Sequence, residues 1–139
     1  MMYDLDYYGH IGGVELNYSC PNVKTYSYHN RLPVVIKKVN YPVYLKLRYD
    51  DNPFDYDLNN VTGIRLNSVP FMMGGISGKI AQKKNWSFIK KYGKELNVSG
   101  CSFTSEDDIK KLEDMGCTEI GIGSTILINP RLIERLENG

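Results

Sequence analysis

Short apolar segments alternate with helix-like stretches along the 139-residue chain. This order predicts an α/β fold built on parallel strands. The predicted strands span residues 14–19, 43–48, 63–68, 95–99 and 119–124, and the predicted helices span residues 31–39, 80–92, 105–115 and 130–137. We expect a single domain over residues 1–139, because the length suits one compact unit and no repeat or linker interrupts the pattern.

The predicted helix over residues 105–115 has the clearest end signals. Thr104 can cap its N-terminus, and Asp107 stands three residues further on, where a capping box places an acceptor. Gly116 occupies the position of a C-terminal cap. One apolar stripe with helical spacing is expected to face the core, namely Ile109, Leu112 and Met115.

Apolar and polar residues alternate in the first three predicted strands. A parallel sheet that is covered on both faces normally has continuous apolar strands. Since successive side chains point to opposite faces, one face is expected to pack on helices and the other to be polar. The expected polar set lies near the carboxyl ends of the strands: Asn17, Ser19, Lys46, Arg48 and Asn67.

Charge and composition exclude several classes of function. The formal net charge is +1, and the basic pairs Lys83-Lys84 and Lys90-Lys91 are typical of solvated helix faces, so nucleic-acid binding is not expected. No apolar run approaches the roughly 18 residues of a membrane span.

The cysteines indicate neither a disulfide framework nor a metal site. There are three of them, Cys20, Cys101 and Cys117, and they form no C-x-x-C pair. We expect a reducing, cytoplasmic location and no bound metal. Cys117 is expected to be a small buried apolar residue.

Residues 14–23 carry the most specific motif. The run Glu15-Leu16-Asn17-Tyr18-Ser19-Cys20-Pro21-Asn22 resembles the E-L-N-x-S-C-P-N segment of dihydroorotate dehydrogenases, which are FMN-dependent oxidoreductases on a TIM barrel. Further matches follow in the same order, up to about Leu136: Leu45-Lys46-Leu47, Leu66-Asn67-Ser68, Gly74-Gly75-Ile76-Ser77-Gly78 and Gly123-Ser124.

The resemblance implies a fold. A complete (β/α)8 barrel takes about 250 residues, so the chain is expected to be a partial TIM barrel. About five parallel strands would correspond to the C-terminal part of that barrel. Such an open sheet leaves edges to be covered, so we expect a homo-oligomer or a partner chain.

The resemblance also implies roles for individual residues, in the cysteine-using class of the family. Cys20 corresponds to the catalytic base that takes a proton from C5 of dihydroorotate, and a thiolate suits that role. Lys46 corresponds to the lysine that hydrogen-bonds the flavin near N1, where its charge favours the reduced form. The substrate-binding residues would be Asn17, Asn22, Asn67 and Ser68, and the FMN-binding residues Gly74, Gly75, Gly78, Gly100, Gly123 and Ser124.

The glycine-rich phosphate segment departs from the family pattern. Where the family has G-G-I, this chain has Gly100-Cys101-Ser102. A β-carbon at Cys101 hinders close approach of a phosphate and disfavours a turn with positive φ. The segments at residues 49–62 and 69–73 are also short, and residues 49–62 leave little room for a full helix.

The matches to the family pattern and the departures from it leave two functions open. The first is FMN-dependent oxidation of dihydroorotate to orotate, a step of pyrimidine biosynthesis, carried out by one chain or by an assembly. The second is a non-catalytic remnant of the family that acts as a binding or assembly module. A third reading, a tRNA dihydrouridine synthase, fits less well, because Ser19 replaces the glycine of that family's N-x-G-C-P loop.

Overall fold

The computed structural model describes residues 12–19, 40–67, 69–71, 74–76, 78–122 and 130–138. The strands are β1 (Val14–Asn17), β2 (Val43–Leu47), β3 (Gly63–Leu66), β4 (Val69–Phe71) and β5 (Gly74–Ile76). The helices are α1 (Gly78–Tyr92), α2 (Glu106–Asp114) and α3 (Pro130–Asn138), with a 3-10 turn at Pro53–Asp55. The helix expected over residues 31–39 lies outside the described residues.

Three strands form the main sheet, and β2 lies at its centre. β1 and β3 both run parallel to β2, in the order β1-β2-β3. The register pairs Leu16 with Leu45 and Leu45 with Ile64. The α/β class is therefore correct, but the partial TIM barrel of about five parallel strands is wrong for the described chain.

Within the described residues, the fourth and fifth expected strands are reduced to single bridges. Val98 makes one parallel bridge to Ile64, and Gly100 makes one to Ile120. Neither segment becomes a ladder, which is consistent with its composition, since Asn and Gly are depleted in strands. Ser102, four residues after Val98, has a φ of 58°, which is incompatible with continued extended backbone.

A second, separate sheet was not expected from the sequence. β4 and β5 pair antiparallel, with Val69 opposite Ile76 and Phe71 opposite Gly74. Residues 74–76 are therefore strand rather than the glycine loop that the resemblance implied. This antiparallel pair is a further departure from a purely parallel α/β arrangement.

The core lies between the apolar face of the main sheet and the helices. Leu45 and Leu47 of β2 are 0% exposed, and Val43 and Ile64 are 1% exposed. The helices cover them with a second set of buried apolar side chains: Phe88, Ile89, Leu112, Leu132 and Ile133. Each such side chain contributes roughly 1.5–3 kcal/mol when it leaves water.

The α2 helix confirms most of its predicted features. Leu112 is buried, and Ile109 and Met115 pack against the core at its margin. Gly116 has a φ of 98°, as a C-terminal cap requires, and an added β-carbon would lie 2.7 Å from the Gly93 carbonyl oxygen.

The N-terminal cap of α2 is one residue later than expected. Ser105 is the cap, and its hydroxyl accepts a hydrogen bond from the Asp108 amide at 3.3 Å. Thr104 instead donates to the Asp108 carboxylate, from its amide at 2.9 Å and its hydroxyl at 3.0 Å. Gln82 of α1 donates to the same carboxylate at 2.8 Å, so Asp108 ties the two helices together.

None of the helices in the described parts of the chain has both the length and the apolar character needed to cross a bilayer. The lysine pairs of α1 are exposed, as predicted.

Asp108→Asn should destabilise the fold at neutral pH. Burial opposes ionisation of this carboxyl, but hydrogen bonds from Thr104 and Gln82 outweigh it and lower the pKa of Asp108. Because the folded-state pKa is depressed, the stabilisation is present above the unfolded-state pKa and is lost as pH falls through the folded-state value. We expect a loss of about 1–3 kcal/mol in urea unfolding at pH 7, shrinking as the pH drops into the acid range.

Asp107→Asn is the matched control, since Asp107 is exposed in the same first turn of α2. It should change the free energy of unfolding much less than Asp108→Asn does. Equal effects of the two substitutions would contradict a special role for the buried carboxylate.

Candidate functional site

The polar face of the main sheet is the candidate site, and β-strand alternation creates it. Its register places Asn17, Lys46 and Arg65 side by side on β1, β2 and β3. Because side chains repeat every second residue, Glu15, Tyr44 and Asn67 share that face. We call these six residues the polar face. The predicted alternation is confirmed in β2, where Val43, Leu45 and Leu47 are buried and Tyr44 and Lys46 are partly exposed.

Asn17 and Asn67 meet at Ser19, beyond the carboxyl ends of the strands. The Asn17 side-chain oxygen accepts hydrogen bonds from the Ser19 amide at 3.1 Å and hydroxyl at 2.8 Å. The Asn67 side-chain amide donates to the Ser19 carbonyl oxygen at 3.4 Å, a long contact. Both asparagines therefore shape the backbone directly before Cys20, a structural task that is compatible with a binding role.

Lys46 lies at the middle of the polar face and is paired with an acid. Its ammonium group lies 3.0 Å from the Glu15 carboxylate, and the two side chains are 28% and 30% exposed. The same carboxylate lies 3.5 Å from the guanidinium group of Arg65. Glu15 thus bridges the two cations of the face.

The network continues across the sheet through Arg65. Its guanidinium carbon lies 4.1 Å from the centre of the Tyr44 ring, and it reaches Glu119 at 4.0 Å. The Tyr44 hydroxyl donates to Glu119 at 3.0 Å, which raises the pKa of Tyr44. Glu119 therefore joins the segment after α2 to the polar face.

Four residues of this network were not predicted as site residues: Glu15, Tyr44, Arg65 and Glu119. The first three occupy alternate positions with Asn17, Lys46 and Asn67, so the period of two was the available signal. Glu119 had no such signal, because its contact depends on the parallel bridge between Gly100 and Ile120.

Two residues of the expected polar set, Ser19 and Arg48, make local side-chain contacts. Ser19 is 4% exposed and is held by Asn17 rather than presented to solvent. Arg48 follows the end of β2 and pairs with Asp50, two residues away, at 2.9 Å. The polar groups of both residues are therefore engaged by neighbours two positions away in the chain.

Several predicted site residues lie outside the described part of the chain: Cys20, Asn22, Ser68, Gly123 and Ser124. Among the expected catalytic and substrate residues, the structure thus brings together Asn17, Lys46 and Asn67.

The glycines that were expected to bind FMN lie in a strand, at the start of a helix and in a packed contact. Gly74 and Gly75 lie in β5, and Gly78 is the first residue of α1. Gly100 is buried, and an added β-carbon would lie 3.2 Å from Leu112 and 3.4 Å from Cys117. The missing side chain at Gly100 therefore serves packing against α2, not an open cradle for a phosphate.

FMN fits these residues only in part. Lys46 is a cation on a partly exposed face, which suits the polar edge of a flavin. Gly100 does not suit the phosphate, because α2 already fills the space beside it.

The two cysteines in the described part of the chain, Cys101 and Cys117, do not suit nucleophilic chemistry. Burial raises the pKa of the Cys101 thiol, even though Ser102 and Asn85 interact with it. Burial also raises the pKa of Cys117, to about 11. Cys117 is 6% exposed, which confirms its predicted role as a packing residue.

No protein-family model matches the chain, and no curated protein does either. The resemblance to dihydroorotate dehydrogenases therefore rests on the short motifs alone.

Gly100→Ala should destabilise the protein in the absence of any ligand. The new methyl group would crowd Leu112 and Cys117, and we expect a loss on the order of 1 kcal/mol in chemical unfolding. Gly121→Ala is the control, because among the described residues its methyl group would meet just the Gly100 carbonyl oxygen, at 3.7 Å. Unchanged stability of Gly100→Ala together with weakened FMN binding would favour the phosphate role instead.

Proposed function

We propose that the protein is a dihydroorotate dehydrogenase-like flavoprotein whose polar face binds dihydroorotate and orotate beside FMN. One observation carries the proposal: Asn17, Lys46 and Asn67, which come from separate family-like motifs, share one face near the carboxyl ends of adjacent parallel strands. That edge of a parallel α/β sheet is where ligands generally bind.

The chain's own residues supply binding and positioning. The asparagine side chains carry both amide donors and carbonyl acceptors, which match the complementary groups of a pyrimidinedione ring. Lys46 would supply the positive charge beside the flavin, and bound FMN would provide the hydride acceptor for the substrate. Ser19, held by both asparagines, fixes the backbone that leads into Cys20, the proposed base.

The proposal includes a cytoplasmic location, since the Cys20 thiol has to remain reduced to act as a base. It also includes a homo-oligomer. β1 is an edge of the described main sheet, and Ile80, Ile122 and Leu136 are exposed apolar side chains. Unpaired strand edges and exposed apolar groups both favour association with another chain.

The second candidate is a non-catalytic binding or assembly module of the same ancestry. It is favoured by the packing role of Gly100 and by the ion pair that engages Lys46. Such a protein would keep the sheet and its polar face without turnover.

A flavin experiment separates the two candidates. The purified full chain, loaded with FMN, should be yellow and should bleach when dihydroorotate is added without oxygen. Cys20→Ser should slow bleaching by on the order of 10²-fold or more while leaving bound FMN in place, because a positioned base contributes that much. Lys46→Met should weaken FMN binding, and Lys94→Met, an exposed lysine after α1, should not.

The other outcomes are equally informative. Colourless protein that ignores FMN but binds orotate would favour the non-catalytic module. Protein that binds neither compound would exclude the proposed function.

A further inference from the structure

The polar face holds a second cation that the motif comparison does not assign. Arg65 is the register partner of Lys46 and lies two residues before Asn67. Its side chain is 42% exposed, so solvent and solutes reach it. An anionic ligand placed at Lys46 and Asn67 would therefore lie next to a guanidinium group.

Arg65 is held in position by its surroundings. It stacks over the Tyr44 ring at 4.1 Å, and the Tyr44 hydroxyl is in turn fixed by Glu119 at 3.0 Å. Stacking orients the planar guanidinium fork, which matches a carboxylate with two parallel hydrogen bonds.

The carboxylates around Arg65 engage it only loosely. Its contacts with Glu15 and Glu119 are 3.5 and 4.0 Å, longer than the 2.7–2.9 Å or so of a charge-assisted hydrogen bond. Glu15 makes its shorter contact, 3.0 Å, with Lys46. Exposed ion pairs of this kind are weak and are screened by salt.

We propose that Lys46 and Arg65 form a two-cation site for a carboxylate-bearing ligand, and that Glu15 is the internal anion that this ligand displaces. The assignment of orotate as that ligand rests on the proposed function, in which the three N–H donors of Lys46 serve both the flavin edge and the orotate carboxylate. The two-cation site itself does not rest on the proposed function. Glu15 is then a specificity-determining residue: it keeps the cations paired when the site is empty and weakens anion binding.

The isosteric change Glu15→Gln tests this directly. It keeps an acceptor beside Lys46 but removes the competing charge. The probes are two acetylating esters, a neutral one and one whose leaving group carries a sulfonate. They are comparable because both leave the same acetyl group on a lysine. The ratio of sulfonated to neutral labelling at Lys46, measured by peptide mass spectrometry, reports anion access and cancels changes in amine reactivity.

We expect Glu15→Gln to raise that ratio at Lys46 by roughly two- to fivefold, the scale of an exposed ion pair. Adding Arg65→Gln to Glu15→Gln should lower the ratio again. Lys94 in the same digest is the internal reference and should not change. Glu119→Gln is the matched control, because it removes an equal charge that contacts Arg65 and Tyr44.

An unchanged ratio in Glu15→Gln, or an equal rise in Glu119→Gln, would overturn the inference. Orotate titration of the same variants separates it from the proposed function. Tighter orotate binding in Glu15→Gln supports both. A raised labelling ratio without orotate binding supports the two-cation site and contradicts orotate as its ligand.

Discussion

Burial of alternate side chains along β2 is the constraint on which the rest of the structure depends. Val43, Leu45 and Leu47 are withdrawn from water between the sheet and the helices. Because the strand period is two, their burial forces Tyr44 and Lys46 onto the opposite face. Parallel pairing on both sides of β2 extends this division to β1 and β3, so the same hydrophobic contacts that stabilise the core also position the polar face.

Electrostatics organises that face. Positive and negative groups alternate across it, from Lys46 to Glu15 to Arg65 to Glu119. This pattern satisfies the charges without burying them, so it costs little in desolvation. A ligand therefore competes with the ion pairs already present on the face. Its affinity depends on the difference in free energy between the contacts it makes and the ion pairs it breaks.

The barrel that the resemblance implied is wrong, although three residues that it named share one face. The resemblance selected Asn17, Lys46 and Asn67, which share a face, yet it implied a five-stranded barrel segment and a phosphate cradle. Residues around Val98 and Ile120 form single bridges instead of ladders. Gly100 packs against Leu112, a contact with a residue twelve positions away that a local glycine motif does not reveal.

The α/β class, the ends of the described helices to within a residue or two, and the polar positions of β1 to β3 could be predicted from the sequence, since these depend on local periods and caps. The number of described strands that form a ladder, the bridge from Glu15 to Lys46 and Arg65, and the contact of Glu119 with Tyr44 became visible with the three-dimensional packing. The reason is physical: register and helix packing set distances between residues far apart in the chain, and periodicity within one strand does not contain them.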